Sequence, residues 1–403
     1  MQFRVNRLVA ALTIAGAAPL AQAAGFALIE QNASGLGNAY AGAAAVAADA
    51  STVYFNPAGM TLLADRQVVL AGHLVKLKAE FSGSVTPAVG GGTGGDAGGL
   101  AFLPNAYYAQ RITPDLHVGV GLNAPFGLKT EYDADWMGRY QAIESEVKTV
   151  NINPSIAYRL SETVSLGAGI NLQRIEATLT NRIPVLGQPL VKIEGDDTGW
   201  GYNLGVLWQM MPATRVGLAY RSEIDYTLEG TSSTSDPVAP MLNGPVTAEV
   251  TLPDSASLSV LHRLGPRWDL LADVTWTGWS DFDDLPIRGT VNKTTVENWD
   301  DILRYSLGVT WRQSERLSLR AGVAYDEAPV SDAYRTPRIP DGARTWLAFG
   351  GQWRVSAASI VDFGYAHLFV NDPGLSNSDN GTTLTGEYDS AVDILSAQLT
   401  VNF

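Results

Sequence analysis

The 403-residue sequence contains no cysteine, which excludes a disulfide scaffold and any thiolate nucleophile or thiolate metal site. Its four histidines, His73, His117, His262 and His367, stand far apart. No HExxH or other close imidazole pair is therefore available to a metal. The G-x-S-x-G string is absent and no serine stands out beside a base, so neither an enzyme nor a cofactor is expected. Basic residues are in deficit, with 27 Lys and Arg against 41 Asp and Glu and a net charge of −14. Such a chain repels nucleic acid. Long apolar runs are also missing: past the first 23 residues no stretch of about 18 apolar residues occurs, which excludes a bundle of membrane-spanning helices.

What is present begins with MQFRVNRLVAALTIAGAAPLAQA, residues 1–23. Arg4 and Arg7 precede an apolar run from Leu8, and Ala21-Gln22-Ala23 ends it. That order is a secretory signal peptide, and its apolar run is too short for a retained span. Residues 24–65 follow, dominated by small side chains such as Gly35, Gly37, Gly42, Gly59 and Ala43 to Ala45. With only Phe26, Leu28, Ile29, Tyr40 and Phe55 as scattered anchors, this segment needs a container.

The remainder, 66–403, alternates. Trp200, Tyr202, Leu204, Val206, Trp208 and Met210 fall on one face of a strand, opposite Gly201, Asn203, Gly205 and Gln209. One face suits lipid and the other a polar lumen. The same reading puts Arg159, Arg215, Arg221, Glu223, Asp225, Arg304, Arg320, Asp326 and Asp362 inside, as a network stiffening the wall, and confines charge to one side of each strand. Connections alternate in length. Six short turns, Thr113-Pro114-Asp115 for example, alternate with seven longer stretches such as 83–100, 183–196 and 285–298. Fourteen strands result, among them 115–128, 197–211, 267–284 and 388–403. Short turns on one side and long loops on the other mark an outer-membrane barrel. Tyr158, Trp208, Trp268, Trp276, Trp311 and Trp353 near strand ends suit interfacial girdles, and the last strand ends on Phe403. A soluble sandwich would use strands of about 5 to 6 residues. The expected fold is all-β: a 14-stranded antiparallel transmembrane β-barrel, 66–403, plugged by an N-terminal hatch, 24–65.

Several strings then carry a resemblance. Gly25-Phe26, Ser34-Gly35-Leu36-Gly37-Asn38-Ala39-Tyr40-Ala41-Gly42 and Asn56-Pro57-Ala58-Gly59-Met60 resemble the hatch of the long-chain fatty acid transporter (FadL) family of Gram-negative outer membranes. The likeness extends through Trp136-Met137-Gly138-Arg139-Tyr140, Asn151-Ile152-Asn153-Pro154-Ser155, Tyr220-Arg221-Ser222-Glu223 and Arg338-Ile339-Pro340-Asp341-Gly342. It implies passive uptake of hydrophobic compounds across the outer membrane. Ligand would be collected among the loops, bound near the hatch and released sideways at a kinked third strand.

Local chemistry supplies candidates for that route. Pro125 cannot donate to a sheet ladder and Gly127 weakens pairing, so Asn123, Pro125, Phe126 and Gly127 should kink the third strand. As a lateral exit, that kink follows from the resemblance, as does a deep-site role for Asn56; a structural turn at Asn56-Pro57-Ala58 stands beside it. Apolar lining is expected from Phe26 and Leu28, and from Trp136, Met137 and Tyr140, which ordinary loop packing would equally explain. The family's basic residues align by eye with Asn181 and Thr295, leaving Arg182 and Lys293 as nearby substitutes for binding a carboxylate. Aromatic or other neutral hydrocarbons therefore stay open as cargo beside long-chain fatty acids. A general porin and a structural or adhesive barrel are the alternatives from other classes. Expected partners are the hydrophobic ligand, outer-membrane lipid and lipopolysaccharide, and the barrel-assembly machinery, with the chain a monomer. No metal site is expected: the Asp281-Phe282-Asp283-Asp284 run offers carboxylates that calcium could use, but reads first as a solvated acidic loop.

Overall fold

A computed structural model of the chain describes residues 25–403 apart from 235 and 238; the expected signal peptide, 1–23, lies outside the described residues. The alternating segments close into a fourteen-stranded antiparallel barrel. The first seven strands are Arg66–Thr86, Leu100–Arg111, Leu116–Asn123 resuming at Gly127–Glu131, Glu144–Arg159, Val164–Arg182, Leu190–Met211, and Thr214–Arg221 resuming at Ile224–Ser233. The other seven are Gly244–Leu252 resuming at Ser255–Leu264, Trp268–Thr277 resuming at Asp284–Gly289, Ile302–Arg312, Leu317–Asp326, Arg344–Arg354, Ser359–Val370 and Thr382–Asn402. The first and last strands close the ring, in register from Gln67 with Asn402 to Thr86 with Thr383. Closure leaves no open edge, as a spanning sheet requires.

Several boundaries depart from those read in the sequence. The sixth strand starts at Leu190 rather than 197 and the last at Thr382 rather than 388, while Lys293–Val296 and Gly374–Asp379 add short hairpin strands within long loops. Hydrogen-bonded pairing continues there with buried Val191, Leu384 and Tyr388 on the inner face, but the acids and glycines among them obscure the alternation in the sequence. The ninth strand is not continuous to 284: a turn of 3-10 helix, Trp279–Asp281, interrupts it.

Near the short-turn end the wall behaves as expected, with Trp200, Leu204 and Trp208 exposed and Asn203 buried inside. Higher up, the faces exchange. Across Ser222-Glu223 in the seventh strand, orientation reverses: Leu218 points out, whereas Ile224, Tyr226 and Leu228 are buried. The eighth strand reverses at the same level, across Pro253-Asp254, since Ser255 pairs with Arg221 and Leu252 with Ile224. Glu223 and Asp225, expected inside, consequently lie exposed on the outside. In the fifth and sixth strands charge also turns outward, through Arg174, Glu176 and Asp196. Charge is thus not confined to one side of each strand; above the lipid belt the outer surface meets water and the inside becomes apolar.

Residues 25–63 form only short turns: helices Ala33–Leu36, Ala43–Val46 and Thr52–Phe55 and a 3-10 turn Pro57–Leu62. Such pieces are far below the length at which a helix holds itself in water. The wall holds them instead. Arg304 donates to Ala39 O at 2.9 Å, Arg221 to Tyr54 O at 3.0 Å, and Arg215 to Ala45 O and Val46 O at 3.2 Å each. Arg159 donates to Thr61 O. Close approach also needs wall glycines. A Cβ at Gly217 would sit 2.0 Å from Ala44 O, and one at Gly322 would sit 2.2 Å from the Asn38 carbonyl carbon.

Neither neighbour at those two glycines is a flexible side-chain tip, so relief requires backbone movement. Replacing Gly217 or Gly322 by Val should leave the barrel assembled but cost about 1–3 kcal/mol through overpacking of the N-terminal segment. Thermal unfolding and ion conductance in planar bilayers check this: a lower midpoint with increased leak is expected, and an unchanged pair of values would refute it.

Candidate functional site

The third strand breaks where its sequence demands. Below Asn123 it pairs with both neighbours, but its pairing with the second strand ends at Leu122 with Ala106, and Gly127–Glu131 pairs only with the fourth strand. The seam is rejoined at Glu131, whose N–H reaches Ala97 O at 3.0 Å. Between those levels the wall has a hydrogen-bond gap. Thr149 satisfies both backbone groups of Phe126, accepting from its N–H at 3.0 Å and donating to its carbonyl at 2.7 Å.

The N-terminal segment fills that gap. Ala27 and Phe126 form a β-bridge, Leu28 N donates to Pro125 O at 2.7 Å, and Gly127 N donates to Phe26 O at 2.9 Å. The Gln31 amide donates to Ala124 O at 2.9 Å. On the other bank, Asn105 donates to Glu30 O at 2.8 Å and the Tyr107 hydroxyl to Gln31 O at 2.9 Å. Residues 26–31 therefore act as a short substitute strand.

Above this seal lies an apolar cavity, lined by Phe26, Leu128, Ile175, Val250, Leu252 and Ile287 among others. Its inward apolar side chains on the seventh and eighth strands are those the face exchange delivers. Phe26 forms its floor within a cluster of rings: 4.8 Å to Trp279, 5.7 Å to Phe282, 5.9 Å to Trp299 and 6.0 Å to Phe126, centroid to centroid. The interruption of the ninth strand is what turns Trp279 and Phe282 inward. Thus one side chain touches the cavity, the kink and the broken ninth strand.

Three ionisable residues border this lining: Glu194, whose exposed side chain pairs with Lys192, and Glu297 and Arg338. Burial pushes the Glu297 carboxyl up to about 8, against the opposing pull of Trp299, Arg338 and Lys293. Burial also lowers the Arg338 guanidinium, to about 10, so it stays charged at neutral pH while Glu297 is mostly protonated. Arg338 makes no ion pair among the described residues; its bonds go to neutral acceptors, Ser145 Oγ at 3.0 Å and Asn181 Oδ1 at 3.3 Å. It also lines an outer groove with Lys293, Asp379 and Thr295.

The sequence candidates divide. Phe26 lines the cavity and Phe126 packs on it, with Asn123, Pro125 and Gly127 at the break. Leu28 packs elsewhere, with Leu36, Tyr40 and Trp346. Asn56 is buried below, donating to Ala44 O at 2.7 Å and Val206 O at 3.0 Å and accepting from Ala58 N at 3.1 Å; it joins the N-terminal segment to the sixth strand. Trp136, Met137 and Tyr140 lie under the loops; Trp136 stacks on Tyr132 at 3.9 Å and donates to Ala142 O. Arg182 is spent on Ala134 O and Gln188 O, and Lys293 pairs with Asp379 in the outer groove. Sequence reasoning missed Arg338, Glu297, Trp279 and Trp299. The one available signal was the Arg338-Ile339-Pro340-Asp341-Gly342 string, and Asn181, which Arg338 contacts, is the residue aligned with a basic position.

The profile of a family described as outer membrane protein transport protein (OMPP1/FadL/TodX) matches residues 14–403. Outer membrane protein P1 of Haemophilus influenzae is 31% identical over 416 residues, covering 91% of this chain and 90% of that protein. The long-chain fatty acid transport protein of Escherichia coli K12 is 28% identical, covering 89% and 90%. Among solved structures, a Pseudomonas aeruginosa FadL homologue superposes with a TM-score of 0.88 at 25% identity, over 94% of this chain and all of that one. The Ralstonia pickettii toluene transporter TbuX shares the fold, with a TM-score of 0.69 at 20% identity, over 92% and 98%.

Truncating Phe26 removes the ring that joins the cavity floor to the substitute strand. Phe26→Ala should destabilise residues 25–31 by about 3–5 kcal/mol, the usual cost of deleting a buried Phe. Hydrogen exchange at the Gly127 and Leu28 amides is the measurement; exchange as slow as in the unmodified chain would contradict the seal.

Proposed function

We propose, from the premise that this chain belongs to the outer membrane protein transport family (OMPP1/FadL/TodX) and carries hydrophobic compounds across the Gram-negative outer membrane, that its cargo is long-chain fatty acids. The division into hatch, 24–65, and barrel, 66–403, belongs to the same reading. The observation that carries it is Arg338: a half-buried cation with no ion-pair partner among the described residues, on the boundary of a cavity whose other lining side chains are apolar apart from Ser145, Glu194 and Glu297. An acyl chain gains roughly 0.8 kcal/mol per buried CH₂, and a carboxylate gains a charge-assisted bond from a guanidinium. Because Arg338 also lines the outer groove, where Lys293 is already paired with Asp379, a head group captured there is handed inward on the one guanidinium that borders both spaces.

Release follows from what the floor is made of. A ligand occupying the cavity competes with Phe26 for the same rings; displacing Phe26 strips the bonds that Gly127 N donates to Phe26 O and Leu28 N donates to Pro125 O. The gap beside Pro125 then opens sideways at the upper edge of the lipid belt, at the height where outward Leu172 gives way to Arg174 and Glu176. Asn56 acts as a positioning residue, transmitting movement between the N-terminal segment and the sixth strand. No energy source is required, since each step exchanges one apolar surface for another. A second reading, uptake of monoaromatic hydrocarbons, is favoured by the five-ring cluster around Phe26, and charge separates the two.

Arg338→Gln should reduce uptake of labelled oleate about ten- to a hundredfold, as the loss of one charge-assisted bond of 1.5–3 kcal/mol implies, with toluene uptake unchanged. Equal loss of both, or of neither, would overturn the fatty acid assignment. The pH dependence has a definite sign. Below about 8 the Glu297 carboxyl is neutral and leaves the field of Arg338 to the ligand; above it the carboxylate forms, offsets that field and repels the cargo. Binding of a fully ionised alkyl sulfonate should therefore weaken as pH rises through about 8, and Glu297→Gln should flatten the profile. Separately, Asn56→Ala, or straightening the kink by Pro125→Val, should lower uptake while heat-modifiable migration shows a folded barrel.

A further inference from the structure

At the short-turn end a second cavity lies between the N-terminal segment and one side of the wall. Five guanidinium groups line it, Arg215, Arg263, Arg312, Arg320 and Arg354, one from each of five strands. Two of these charges are neutralised within the wall, Arg312 by Asp269 and Arg320 by Asp362 at 2.6 Å. The lining carboxylate from the N-terminal segment, Asp49, is held by Ser34, Ser51 and Gln398. Arg215 spends its guanidinium on neutral oxygens of Gln209, Ala45 and Val46. The side chains of Arg263 and Arg354 have no protein partner among the described residues and are exposed. Three guanidinium groups without an ion-pair partner among the described residues therefore face one cavity, against the single lining carboxylate outside an ion pair, that of Asp49, in a chain of net charge −14.

The rest of the lining is not that of a simple anion site. Leu261, Leu271, Val46, Phe55, Leu62 and Ile360 give the same cavity an apolar surface, and Leu261, Leu271 and Ala45 pack into one hydrophobic cluster there. A small hydrophilic anion would leave that surface in contact with water; an uncharged hydrocarbon would ignore the arginines. A surplus of positive charge, five arginines against Asp49 and Asp269, concentrates anions at such a mouth, and guanidinium groups bind carboxylates in forked pairs.

We infer that this mouth is a second ligand site, separate from the apolar cavity, which takes a single-chain amphiphile with a carboxylate head: chain against Leu261 and Leu271, head between Arg263, Arg354 and Arg215. The inference rests on the fatty acid reading for the choice of amphiphile, but on different residues for the site. Occupancy would compete with the Ala45 and Val46 carbonyls for Arg215, so a ligand here also loosens one anchor of the N-terminal segment.

The test uses the full chain in phosphatidylcholine vesicles with photoreactive diazirine analogues of dodecanoic acid and dodecanol, mapped by peptide mass spectrometry. The acid should label peptides spanning 46–55 and 261–271 at least tenfold more than the alcohol. The double variant Arg263→Glu with Arg354→Glu should abolish that labelling while labelling around Ile175 and Val250 persists; the double Lys variant should retain at least half. Equal labelling by acid and alcohol at the lower site, or labelling indifferent to charge reversal, would overturn the inference. Lower-site labelling without any at Ile175 and Val250 would support it and sink the assignment of the apolar cavity instead.

Discussion

A strand buried in a membrane wall must pair on both sides, because hydrocarbon offers nothing to an unpaired N–H or C=O. In this chain the third strand gives up one neighbour between Asn123 and Glu131, and the debt in backbone hydrogen bonds is met by residues 26–31. Everything about the N-terminal segment follows from that obligation. It has to sit at one height and against one gap, so it is fastened elsewhere by wall arginines and by Asn56, and it lies against glycines that leave room for its backbone. The seal is strong enough to keep the wall intact, yet consists of few bonds and one aromatic ring, all within reach of whatever occupies the cavity above.

That cavity exists because the wall exchanges its faces. A β-strand is amphipathic with period two, so a regular barrel in lipid is obliged to have a polar inside. Breaks at Ser222-Glu223 and Pro253-Asp254 reverse two adjacent strands at the same height, and the interruption after Thr277 turns Trp279 and Phe282 inward beside them. Apolar side chains thereby point inward where the outer surface has left the bilayer. The result is an oil-like compartment outside the membrane, stacked on a polar lumen inside it.

Much of this was legible in the residues. Trp200, Leu204 and Trp208 against Asn203 gave the lipid and lumen faces, loop lengths gave the strand number, and Pro125 marked the break. The face exchange was not legible, because Ile224 keeps the even-numbered phase of Leu218 while pointing the opposite way; counting by twos is blind to a reversal that spans two residues. The polar end of the cavity was equally hidden. Arg182 and Lys293 are near the expected position in sequence, but neither lines the cavity; Lys293 faces Asp379 in the outer groove, and the guanidinium there arrives from a loop some 150 residues away from its contact Asn181. Only tertiary structure brings Arg338, Glu297 and Trp299 to one place.

The closing seam constrains how such an object is made. Gln67 bonds to Asn402 across 335 residues of sequence, and Gln398 of the final strand accepts from Ala33 N and donates to Asp49. The last strand thus completes the ring with one edge and grips the N-terminal segment with its inner face. A segment so gripped cannot be threaded in after the cylinder has shut, so residues 25–63 and the last strand have to be placed together. Contacts this distant in sequence form slowly, and the segment serves as the core around which the wall is wrapped.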